Sequence, residues 1–146
     1  MACIAPKRPC PTRRFAMATS PCHLELAVLA DRLRDRILGE LNQIIDPCSR
    51  ATAVPAGLVD MGLVRALDIQ RSEDGAARVS VSLCVTHPFC MMPAIFLHEV
   101  EKRLKTFPEI ASSDVSLDVT TLWTEELMSE EYRSKLAAQR SDKRLC

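Results

Sequence analysis

Cys90 stands in Thr86-His87-Pro88-Phe89-Cys90-Met91-Met92-Pro93, where a run of alternating strand residues gives way to a helix. A thiol two or three residues ahead of a proline-started helix meets free N–H groups and the positive end of the helix dipole, which favour a thiolate. A thiolate binds soft metals or attacks electrophiles. The competing reading is a small buried hydrophobe, because free cysteine is among the most buried residue types. Cys48 opens a long loop, and a Cys48/Cys90 pair would suit a soft metal if that loop folds over the strand end; an incidental loop cysteine is the alternative. His87 could ligate metal or hydrogen-bond the thiolate, or simply leave the strand facing water. Asp46 and Asp60 are expected to act architecturally, their carboxylates accepting loop N–H bonds beside Pro47 and Gly62. Cys84 reads as a structural sheet residue, His98 as a solvated helix residue, and Cys3, Cys10, Cys22 and Cys146 as terminal cysteines without a specific role.

The chain that must position these groups has 146 residues and is 47% hydrophobic with mean hydropathy near zero, which suits one soluble domain. Nineteen basic residues balance nineteen acidic ones, but Lys7, Arg8, Arg13 and Arg14 lie in an acid-free N-terminus. The remaining 15 basic against 19 acidic side chains give residues 25–146 a net charge of −4, unsuited to nucleic acid. No G-x-x-G loop for RNA is present. Seven cysteines form no C-x-x-C pair, so neither a structural zinc site nor a secreted disulfide framework is indicated. Apolar stretches fall short of the about 20 residues a membrane span needs, and no signal-peptide core is present. A reducing, cytoplasmic location is expected.

Residues 1–21, with four prolines among small and basic residues, read as a disordered leader, and Met17 offers a second start. Residues 22–140 form the domain and 141–146 a flexible end. Ser20-Pro21 signals a helix start, and apolar residues at three- and four-residue spacing from Leu26 to Ile44 predict an amphipathic helix over 23–45, ended by Asp46-Pro47. A loop over 48–62 precedes strands over 63–71 and 77–86, joined by a turn at Ser72-Glu73-Asp74-Gly75. Val79, Val81, Leu83 and Val85 alternate with Ser80, Ser82, Cys84 and Thr86, and a third strand repeats the pattern at Val115, Leu117 and Val119. Between them lies a helix over 93–107, with Ile95, Phe96, Val100 and Leu104 for the core. A last helical segment over 124–139 follows Trp123, which should anchor it. The α-β-β-α-β-α order predicts an α+β two-layer sandwich: a small three-stranded sheet with helices covering its one apolar face.

Asp46-Pro47, Leu58-Val59-Asp60-Met61-Gly62-Leu63-Val64, Thr86-x-Pro88-x-Cys90, and Trp123 followed by Met128-Ser129-Glu130-Glu131-Tyr132-Arg133 occur in that order. Together they resemble the iron–sulfur cluster assembly family that includes the SufT, PaaD and cytosolic MIP-type factors, whose pattern is D-P, D-L-G-L-V/I, T-x-P-x-C-P and a closing M-S-x-E-x-R. Three departures stand out: Cys48 replaces the glutamate after Asp-Pro, the 46–60 segment is about five residues longer, and Phe89-Cys90-Met91 replaces Gly-Cys-Pro. The cysteine-rich tail of PaaD-type proteins is missing from this sequence.

The resemblance implies a non-enzymatic maturation factor for a client metalloprotein, with Cys90 meeting iron, a cluster or the client. Its cargo would be an iron–sulfur cluster or iron, held transiently rather than stably, and its partners the apoprotein and the cluster-assembly machinery. Dimerisation is left open. An interaction module without metal chemistry is the alternative; a cysteine enzyme would also need an oriented base and a substrate cavity, for which no constellation is evident.

Overall fold

The computed structural model describes residues 21–71, 76–87 and 89–142, with side chains from residue 28 onward. The leader through residue 20, the Met17 start, the 72–75 turn, Pro88 and residues 143–146 lie outside the described residues. The elements are helix α1 (Pro21–Leu41), the single-turn helix α2 (Pro47–Arg50), strands β1 (Val64–Arg71) and β2 (Ala77–Leu83), helix α3 (Pro93–Leu104), strand β3 (Ile110–Leu117), a 3-10 turn (Glu125–Leu127) and helix α4 (Glu130–Asp142).

The sheet is mixed, in the order β1-β2-β3, with β1 antiparallel and β3 parallel to the central β2. Parallel pairing follows from the α3 crossover, because a helix must return the chain to the starting end of the sheet. Along β2, Ala77, Val79, Val81 and Leu83 are buried, and α1 and α3 cover that face through Leu33, Ile37, Leu41, Phe96, Val100 and Leu104. This is the α+β sandwich expected from the alternation. Arg36 ties α1 to the α3–β3 turn, bonding Glu109 at 2.6 Å and lying 5.1 Å over the Phe107 ring.

Several boundaries depart from the sequence pattern. Helix α1 stops at Leu41, because Ile45 leaves it to bridge Gly57 and the Leu58 N–H donates to the Ile44 carbonyl. Strand β3 starts at Ile110, five residues before the first alternating valine, and ends at Leu117, leaving Val119 82% exposed. Its Ala111-Ser112-Ser113-Asp114 stretch has no apolar period to reveal it. Ile95 is 50% exposed instead of buried, since the packed stripe of α3 is Phe96, Val100 and Leu104. The last segment is two pieces: Met128 is extended, and Ser129 starts α4 by accepting the Tyr132 N–H on its hydroxyl. Cys84, expected on the polar face, is 1% exposed just past β2, its thiol 3.7 Å from the Gly62 carbonyl.

Candidate functional site

The loop from Cys84 to Met92 leaves the end of β2 and leads into α3, whose first residue is Pro93. Its centre is a turn in which the Cys90 N–H donates to the His87 carbonyl at 2.9 Å. Cys90 is half-buried on this turn, while Phe89 and Met91 on either side are 86% and 93% exposed. Two large apolar side chains held in water beside a thiol are costly in isolation and typical of contact surfaces. His87 is exposed and serves its own loop: its Nδ1 accepts the Phe89 N–H at 3.2 Å, and its ring tilts against Phe89 with centroids 5.6 Å apart.

A second loop, from Asp118 to Trp123, flanks the first. Between them lies a cleft of about 200 Å³ lined by Val85, Thr86, Pro93, Leu117, Leu122 and Trp123, among others. Val119 and Leu122 extend the exposed apolar rim, at 82% and 79% exposure. Asp118 shapes this loop by accepting from the hydroxyls and N–H groups of Thr120 and Thr121, which hold its carboxyl well below the usual range.

Cys48 reaches the site from the other side of the chain. It is exposed in α2, with its sulfur 4.0 Å from the hydroxyl of Thr86, the residue just before the His87–Cys90 turn. A buried polar knot fixes α2. Asp46, 2% exposed, accepts the Ser49 N–H at 2.7 Å; the Ser49 hydroxyl donates to the Asp46 carbonyl at 2.6 Å and accepts the Ala56 N–H at 2.9 Å. Burial pushes the Asp46 carboxyl up, against the Ser49 and Cys48 N–H groups that favour its anion.

Asp60 makes a second knot. Its carboxylate accepts from Asn42 Nδ2 and the Ser129 hydroxyl, both at 2.9 Å, and its N–H donates to Asn42 Oδ1 at 2.9 Å. Gly62 then turns with φ +70°, where an added Cβ would fall 2.0 Å from the Leu127 carbonyl oxygen. Trp123 Nε1 donates to the neighbouring Met61 carbonyl at 2.8 Å. Asn42 and Ser49 were not singled out in the sequence, and Ser129 stood there only inside the closing Met128–Arg133 motif, with no role of its own. Ser129 is 69 residues from its Asp60 partner, a separation no local pattern reports.

The structure thus brings Cys48, Thr86 and Cys90 to one end of the sheet, with Asp46, Asp60, Gly62 and Trp123 as a frame behind them, while Pro47 is exposed and opens α2. Among the described residues, no three His, Cys, Asp or Glu side chains gather as a metal cage, and no helix is long and apolar enough to cross a membrane.

Residues 34–117 match the family model described as iron-sulfur cluster assembly protein. The chain is 29% identical over 111 residues to the Fe-S protein maturation auxiliary factor YitW of Bacillus subtilis, covering 76% of this chain and all of that protein. A crystal structure of a domain of unknown function, DUF59, from Bacillus anthracis superposes with a TM-score of 0.59 at 25% identity, covering 76% of this chain and 97% of that one.

Proposed function

Because the chain belongs to the iron–sulfur cluster assembly protein family, we propose that it is an auxiliary maturation factor, not an enzyme. It would help deliver an iron–sulfur cluster or iron to a client apoprotein, with Cys90 as the transient sulfur ligand. The observation that carries this reading is the continuity of the family match across 34–117, which includes Asp46-Pro47, Asp60…Gly62 and Thr86…Cys90, together with a relative named for Fe–S protein maturation.

The local chemistry agrees. A sulfur ligand suits iron and its clusters, and a half-buried thiol on a short turn can exchange cargo without the chain opening. Cys90 supplies one sulfur, and the donor or client would supply further coordination during transfer. The exposed Phe89, Met91, Val119 and Leu122 would seat that partner around the thiol, since apolar side chains at the centre of an interface contribute most when water is excluded. This rim also supports a second reading, in which the protein docks on a metalloenzyme without handling metal.

The test is client cluster content in cells carrying wild type or Cys90→Ser. Serine keeps the size and loses the soft ligand. Apo client in the variant, with rescue by wild type, is expected. Fully loaded client would remove the ligand role and leave the docking reading.

A further inference from the structure

Cys48 lies 42 residues before Cys90 in sequence but beside Thr86 in space, at the start of the segment whose turn carries Cys90. The Thr86 hydroxyl lies 4.0 Å from Cys48 Sγ, and the His87–Cys90 hydrogen bond closes a turn whose ends stay within about 7 Å. Cys48 is not on a free loop: Pro47 starts α2, and the buried Asp46–Ser49–Ala56 bonds fix that helical turn against the core. Both thiols reach solvent, whereas Cys84 is buried against the Gly62 carbonyl. The fold therefore fixes exposed Cys48 by buried hydrogen bonds against Thr86, four residues before half-buried Cys90.

We propose that Cys48 and Cys90 form one two-thiolate site for a soft, thiophilic metal ion or for one edge of an iron–sulfur cluster. The inference rests on the reading of Cys90 as a ligand and deepens it, because two sulfurs chelate where one exchanges. A second ligand held on the same rigid body raises affinity through its effective concentration, by roughly a hundredfold. The pair therefore gives the site a holding state, and release occurs when a client displaces one of the two sulfurs.

The experiment uses the full-length chain with Cys3, Cys10, Cys22 and Cys146 changed to serine, so that Cys48 and Cys90 are the accessible thiols. Cadmium(II) is titrated anaerobically and read by its thiolate charge-transfer absorption. The parent should show twice the intensity per bound cadmium of either Cys48→Ser or Cys90→Ser and bind roughly a hundredfold more tightly. Dibromobimane should give a species bridging Cys48 and Cys90 in the parent. Equal intensity and affinity in Cys48→Ser, or no bridged species, overturns the pair. Either result leaves the client test of Cys90 standing, and normal client loading with Cys90→Ser would leave the cadmium result standing.

Discussion

Around Asp60 the polar groups turn inward, with Asn42, Ser129 and the Met61 carbonyl each taken by a side chain from a distant segment. Between Thr86 and Met92 the chain does the opposite, setting Phe89 and Met91 in solvent on either side of a thiol. Both regions carry residues of the family signature, and their contrast separates two reasons for a motif. Asp46, Asp60, Gly62 and Trp123 hold the frame, and Thr86 with the His87–Cys90 turn is what the frame presents.

If that division is right, substitutions in the frame should be felt as stability and those in the turn as lost function. The largest effect is expected at Gly62. Alanine there meets a positive φ and a carbonyl oxygen at 2.0 Å, so Gly62→Ala should cost more than about 4 kcal/mol, at the exceptional end for one substitution. Chemical denaturation of the variant would show it, and a midpoint close to wild type would mean the Gly62–Leu127 approach is not tight.

Asp46→Ala removes the side-chain acceptor of the buried Ser49 N–H, leaving it the longer 3.2 Å bond to the backbone carbonyl of residue 46, and should cost about 1–3 kcal/mol. Asp46 also has a pH signature. Burial raises its folded pKa above the ordinary 3.8, so the folded state holds the proton more tightly than the unfolded chain. Its contribution to stability should therefore fall as pH rises through the window from 3.8 to the raised value. Asp46→Asn keeps an acceptor and cannot ionise, so its melting midpoint should gain on wild type as pH rises through that window. A constant difference between the two would contradict the assignment.

Trp123→Phe sacrifices the bond to the Met61 carbonyl while keeping most of the ring, for an expected loss of about 1 kcal/mol. Thermal melting at matched pH would resolve a loss of that size, and no change would detach Trp123 from the frame.

The frame was only partly legible in the sequence. Gly62 and Asp60 stand out because a glycine after an acidic turn signals a special backbone, and the valines of β2 announce its buried face. Asn42 gives no such signal and Ser129 shows only as a motif letter: their value comes from meeting Asp60 in space, across 18 and 69 residues. Strand β3 hid its first half because an edge strand with Ala111, Ser112 and Asp114 exposed has no apolar period to show. The single turn of α2 was too short to have a period, so Asp46-Pro47 read as the end of the first helix before a loop over 48–62, where the structure makes Asp46 the cap and Pro47 the first residue of α2. The approach of Cys48 to Thr86 depended on that fold and could not be read from spacing.

The smallest stability effect, and the largest functional one, is expected at Cys90. Cys90→Ser alters a half-buried atom on a turn held by its backbone, so its melting curve should stay within about 0.5 kcal/mol of wild type. The direct test pairs it with Cys84→Ala, which removes a fully buried thiol, comparing melting curves and client cluster content per folded molecule. A destabilised but competent Cys84→Ala beside a stable but incompetent Cys90→Ser is the predicted result. A competent Cys90→Ser, or loss of function per folded molecule in both, would contradict the division between frame and turn.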